Sequence, residues 1–127
     1  MILSEVATDR GDPGRGVELS REAVRLFASL DDTWDMVDAV EALAASLVRL
    51  DRVEEAARLY AGADSLRDAV DAPRAGAQQV AYDRDRGRGE ERDPEAFKVG
   101  YEAGEGAAVL EVVRAALAVD VGGEPGR

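Results

Sequence analysis

The side chains in this chain that could do chemistry are almost all carboxylates. Asp31, Asp32, Asp35 and Asp38 crowd one helix start. Paired carboxylates can separate their pKa values and divide acid and base work between them. Carboxylate oxygens also bind hard cations, but a calcium loop needs alternating oxygen ligands and a glycine turn, and this run has neither. Capping and the helix dipole account for the same residues, so we assign no metal site and no catalytic residue. Histidine and cysteine are absent, which removes imidazole proton shuttles, thiolate chemistry, disulfides and His-ligated metals together. A small carboxylate-based enzyme stands as a remote alternative; it needs two acids facing each other across a cleft.

A second constellation suits binding. Trp34, Asp38, Glu41 and Arg49 fall on the face of one helix away from its apolar stripe. In tetratricopeptide-like arrays such a face lines a groove for a peptide or partner helix, and a tryptophan is a strong anchor there. The plain alternative is a solvated, charged helix face. Tyr60, Tyr82, Phe97 and Tyr101 either line a small-molecule pocket between helices or fill the core; the i, i+4 spacing of Phe97 and Tyr101 favours core. Glycine–arginine runs at 11–16 and 87–89 read as turns and lack the strand–loop–helix context of an anion site.

The elements that position these residues are helices. Leu19, Ala23, Leu26, Phe27 and Leu30 form a stripe over 17–30. Met36, Val40, Leu43 and Leu47 form one over 34–50, and Ala56, Leu59, Ala63, Leu66 and Val70 one over 51–74. Residues 2–10 read as a short helix and 74–79 as a loop. A short polar helix over 80–88 is weakened by Gly87 and Gly89. Asp93-Pro94-Glu95 is a strong helix start. A last helix runs over 107–119, with Leu110, Val113 and Leu117 on one side.

An offset of 40 residues lays Leu3 on Leu43, Gly11 on Asp51, Gly16 on Ala56, Ala23 on Ala63 and Leu26 on Leu66. Each copy is helix, tight turn, helix, which predicts helical-hairpin repeats. The expected architecture is all-α, tetratricopeptide-like, with about six helices. It forms one domain over 1–121, with repeats at about 1–31 and 34–72, a divergent C-terminal hairpin over 77–120 as a cap, and a flexible tail at 122–127.

The 127-residue chain has a net charge of −11 and a single lysine, Lys98. An acidic domain repels phosphate backbones and anionic membranes, so neither direct nucleic-acid binding nor membrane binding is expected. The apolar runs are too short to span a bilayer, and the N-terminus lacks the basic start of a signal peptide. The location expected by default is cytoplasmic.

The segment AARLYAGADSLRDAVDAPR, at 56–74, resembles a run near the C-terminus of large LuxR-type and antibiotic-regulatory ATPase transcriptional regulators of bacteria. There, A-A-R-L-L-G-A-A-x-x-L-R-x-x-x-G-A-P closes a tetratricopeptide-like array. A Tyr-containing polar helix, an F-x-x-x-aromatic-x-x-G helix and a final apolar helix follow it. Ala81-Tyr82-Asp83-Arg84, Pro94 to Gly104 and Val109 to Leu117 keep that order. The chain departs from the pattern at Tyr60-Ala61-Gly62 and at Tyr101, where tryptophan is usual. It has no phosphate loop and no basic helix-turn-helix. The resemblance implies a non-enzymatic interaction or sensing module without a cofactor, working through a protein partner or self-association of its repeat faces. The alternative is a small-molecule binder with a pocket between the repeats and the C-terminal hairpin.

Overall fold

The computed structural model describes residues 11–120, which form six α-helices and no strand. They are α1 (Pro13–Ser29), α2 (Thr33–Arg49), α3 (Val53–Val70), α4 (Gly76–Arg92), α5 (Pro94–Gly104) and α6 (Val109–Leu117). Three of them start in the same way. Asp12, Asp32 and Asp93 each accept, at 3.1 Å, a hydrogen bond from the backbone N–H three residues on, satisfying a donor the helix leaves orphaned. Pro13 and Pro94 follow their caps at the position where a missing N–H costs nothing.

The repeat is written most clearly in the turns. Gly11, Asp31, Asp51 and Asp71 all take positive φ, of 87°, 55°, 64° and 55°. They fall every twenty residues, so one helix and its turn make a unit and two units make the forty-residue hairpin. Aspartate tolerates the left-handed region better than most residues. The three turns after α1, α2 and α3 also close with the same bond. Asp32 donates to the Phe27 carbonyl, Arg52 to that of Leu47 and Ala72 to that of Arg67, each at 2.9 Å. That is the C-terminal closure of a Schellman turn. The side chains follow the offset until a neighbour is missing: Gly16 and Ala56 are both buried, whereas Leu66 is buried and Leu26 is 55% exposed.

α2 and α3 form the centre. Met36, Val37, Val40, Leu43, Ala44, Leu47 and Val48 are all buried, so α2 is enclosed on more than its expected stripe. α3 buries Ala56, Leu59, Ala63 and Leu66 as the spacing predicts, leaves Val70 at its end only partly buried, and also buries Val53, Ala57, Tyr60, Ala61 and Gly62. Small residues on that second side let other helices close in. α5 comes nearest: a Cβ on Gly100 would overlap the carbonyl of Glu54, and one on Gly104 that of Arg58. α6 rests on α3 and α1, with Val112 against Gly62 and Arg21 donating to the Leu117 carbonyl at 3.0 Å.

Several expectations are corrected. α1 begins at Pro13, because Asp12 caps it, and it buries Gly16, Val17, Ser20 and Val24 while Leu26 and Leu30 stay exposed. The loop expected over 74–79 is shorter, since α4 starts at Gly76 with Gln78 accepting from the Ala75 N–H. α4 also runs straight through Gly87 and Gly89; the latter is buried against Val48 and Phe97, where a larger residue would crowd them. α6 buries Val112 and Ala116, and Leu110 is exposed. The expected helix over 2–10 and the tail at 122–127 lie outside the described residues.

Gly100 and Gly87 give an opposed pair of expectations. Gly100→Ala must push α5 off α3 and should cost about 3 kcal/mol. Gly87 meets nothing within 4 Å of an added Cβ, so Gly87→Ala should stabilise by about 0.5–1 kcal/mol. Urea unfolding midpoints measure both, and an unchanged midpoint for Gly100→Ala would contradict the close approach.

Candidate functional site

The densest set of polar side chains lies where α2, α3, α4 and α5 meet, and it starts from Glu41. Glu41 is on α2, facing α3. It accepts from Arg67 Nε at 2.9 Å and Nη2 at 3.0 Å, and from Arg74 Nε at 3.0 Å and Nη2 at 2.5 Å. Arg67 is 7% exposed and reaches two further acceptors, Asp38 at 2.7 Å and the Ala72 carbonyl at 3.1 Å. Its planar fork matches this arrangement, which a lysine could not reproduce. Burial disfavours the Arg67 charge, but Glu41 and Asp38 outweigh it and raise the guanidinium pKa.

Arg74 links this group to a second one. It lies just past the left-handed Asp71 and Pro73, which turn the chain back toward α2. Its guanidinium covers the Tyr82 ring at 3.6 Å and donates to Asp64 at 2.7 Å. Asp64 also accepts from the hydroxyls of Tyr82, at 2.8 Å, and Tyr101, at 2.6 Å. Arg86 donates to the Tyr82 hydroxyl at 2.8 Å and sits 4.6 Å above the Tyr101 ring. Beneath these groups Tyr60 meets Tyr82 edge-on and Phe97 at a tilt, and Phe97 stacks on Tyr101. Burial, then the Asp64 carboxylate, raise the pKa of both Tyr82 and Tyr101. Burial raises Tyr60 strongly.

The expected binding face divides. Asp38 and Glu41 are turned into this network, and Asp38 also accepts from Gln78 at 3.1 Å. Trp34 is 57% exposed at the start of α2, whereas Arg49 ends the same helix beside a cleft lined by Val48, Arg88, Glu91 and Arg92. Fifteen residues of helix separate the two by roughly 22 Å, so they do not share one groove. The four tyrosine and phenylalanine rings pack against one another as core. Gly87-Arg88-Gly89 lies inside α4 and is not a turn. The acidic run also separates into roles: Asp31 forms the left-handed turn, Asp32 caps α2, and Asp38 binds Arg67. The Asp32 carboxylate raises the pKa of Asp35. Among the described residues, no group of three His, Cys, Asp or Glu is placed to hold a metal ion.

Arg67, Arg74, Asp64 and Arg86 escaped the sequence reading. One signal was available: Arg67 follows Leu66 and stands four residues after Ala63, in the register of a core face, where an arginine needs a carboxylate opposite. The arrangement can hold four helices together and balance its own charge. Its carboxylates Glu41 and Asp64 are engaged by arginines and by the Tyr82 and Tyr101 hydroxyls.

The network sets the response to alkali. The folded chain retains tyrosine protons that the unfolded chain releases near pH 10. Stability is therefore intact below that pH and falls as pH rises toward the raised values. Tyrosinate absorbance should develop only together with unfolding, and Asp64→Asn should bring its onset to lower pH. Tyrosinate forming near pH 10 in a still-folded protein would contradict the burial described.

Compared with protein-family models, with curated proteins and with solved structures, the chain matches none.

Proposed function

We propose that the chain is a non-enzymatic protein-interaction module built on helical-hairpin repeats, the role implied by its resemblance to the C-terminal repeat region of LuxR-type regulators. One observation carries the reading. Leu26, Leu30 and Trp34, within nine residues around the α1–α2 turn, are 55%, 63% and 57% exposed. The outer face of α1 is thus an apolar repeat face without a covering hairpin among the described residues, and repeat units bury such faces on a neighbour. The occupant we assign is another helical hairpin, which a second copy supplies when the chain is alone. The outer face of α1 is nearly neutral, with Arg15, Arg21 and Arg25 against Glu18 and Glu22, whereas Asp31, Asp32 and Asp35 surround the turn. A two-fold contact presents the same patch from both copies, and one that sets the α1 arginines against the partner's turn carboxylates avoids acid facing acid.

The small-molecule and enzyme readings have less support. The tyrosines that would line a pocket spend the Tyr82 and Tyr101 hydroxyls on Asp64 and pack their rings together. The interior carboxylates Glu41 and Asp64 are occupied by arginines and tyrosines.

Trp34 is the only tryptophan, so its emission reports on this edge alone. With increasing protein concentration, sedimentation should show a dimer and the Trp34 emission should move to shorter wavelength. Leu26→Ser with Leu30→Ser should abolish both changes without loss of helicity. A monomer with unchanged emission at every concentration would remove the proposed contact.

A further inference from the structure

We propose that the cleft between α4 and α5 docks a basic polypeptide segment of a partner protein. This is a second surface, and it does not rest on the α1 edge.

The cleft is open and about 350 Å³ in volume. Pro94 and Tyr101 supply its apolar wall, backed by the buried Phe97, and Glu90, Glu102 and Glu105 supply carboxylates. It also contains two cations, Arg86 and Lys98. Arg86 is already committed: it donates to Tyr82, lies over the Tyr101 ring and is within 3.8 Å of Glu90 and 3.5 Å of Asp64. It contributes little positive field to an arriving ligand. Glu102 and Glu105 have no ion-pair partner within 4.0 Å among the described residues. Lys98 alone opposes them. A cleft with Pro94 and Tyr101 on its wall and two glutamates opposed only by Lys98 fits a long cationic side chain, whose methylene stem lies on the apolar wall while its head reaches the glutamates.

The field of the whole chain acts in the same direction. A net charge of −11 attracts a basic segment from a distance and repels an acidic one. The cleft adds what a diffuse field lacks, a fixed apolar wall and defined acceptors. The surface is also well supported from below. Phe97 and Tyr101 are held by Tyr60 and Asp64, and α5 is fixed to α3 through Gly100 and Gly104.

The test is a fluorescence-anisotropy titration of a labelled peptide alternating arginine with alanine, at low salt. The full chain should bind it saturably, and added salt should weaken the binding. Glu102→Gln with Glu105→Gln should weaken it about tenfold. Glu55→Gln with Asp83→Asn, outside both this cleft and the α1 edge, removes the same charge elsewhere and should leave it nearly unchanged. Equal weakening by the two double variants would mean that only the net charge attracts the peptide, and the site would be withdrawn. Absence of saturable binding would overturn it too. So would spermidine binding as tightly as the peptide at the same glutamates, because that identifies a small polycation as the ligand.

Discussion

The close approach of α5 to α3 is the constraint on which the second half of this fold depends. Gly100 and Gly104 lie on the backbone carbonyls of Glu54 and Arg58, with Ala57 and Ala61 beside them. No larger residue allows that separation. Because α5 is held there, Phe97 falls beside Tyr60, and Tyr101 comes within hydrogen-bonding distance of Asp64. Asp64 in turn organises Tyr82 and Arg74, and Arg74 ties the group to Glu41 on α2. A helix contact made by glycines thus determines where a network of charged side chains closes.

The network is best understood as specification. Replacing a buried ion pair by apolar residues is often neutral for stability, while removing one partner leaves a costly buried charge. Glu41, Arg67, Arg74 and Asp64 join α2 to α3, and the Tyr82 and Tyr101 hydroxyls on Asp64 bring α4 and α5 into the same network. The apolar contacts of an Ala-rich core would tolerate more than one arrangement. The two proposed contacts rest on the apolar edge of α1, outside this network, and on the cleft between α4 and α5, which borders it at Tyr101.

The helical class and most helix positions were legible in the sequence, because the apolar spacing at 36–47 and 56–66 is strong, the cap at Asp93 is explicit and a cap is expected among Asp31, Asp32 and Thr33. The twenty-residue turn period was present as well, in Gly11, Asp31, Asp51 and Asp71. Composition alone could not single it out, since a left-handed aspartate looks like any other aspartate. The stripe on α1 misled because Leu26 and Leu30 are apolar but have no helix to cover them, while Gly16 and Ser20 are buried without being hydrophobic. α4 was underestimated because glycine weakens an isolated helix, whereas Gly89 is the residue that fits against Val48 and Phe97. The charged network was hidden for a different reason. It joins residues far apart in sequence, such as Asp38 with Arg67 and Glu41 with Arg74, and no local pattern marks such pairs.

Amide hydrogen exchange on the full chain tests the central claim most directly. If α3 and α5 form the unit that positions the rest, their central amides open only with global unfolding. Residues 56–66 and 97–101 then share the slowest exchange free energy, because the two helices cannot separate without losing the shared network. Exchange at α5 that is much faster than at α3, through a separate opening, would show that the glycine contact does not organise the fold.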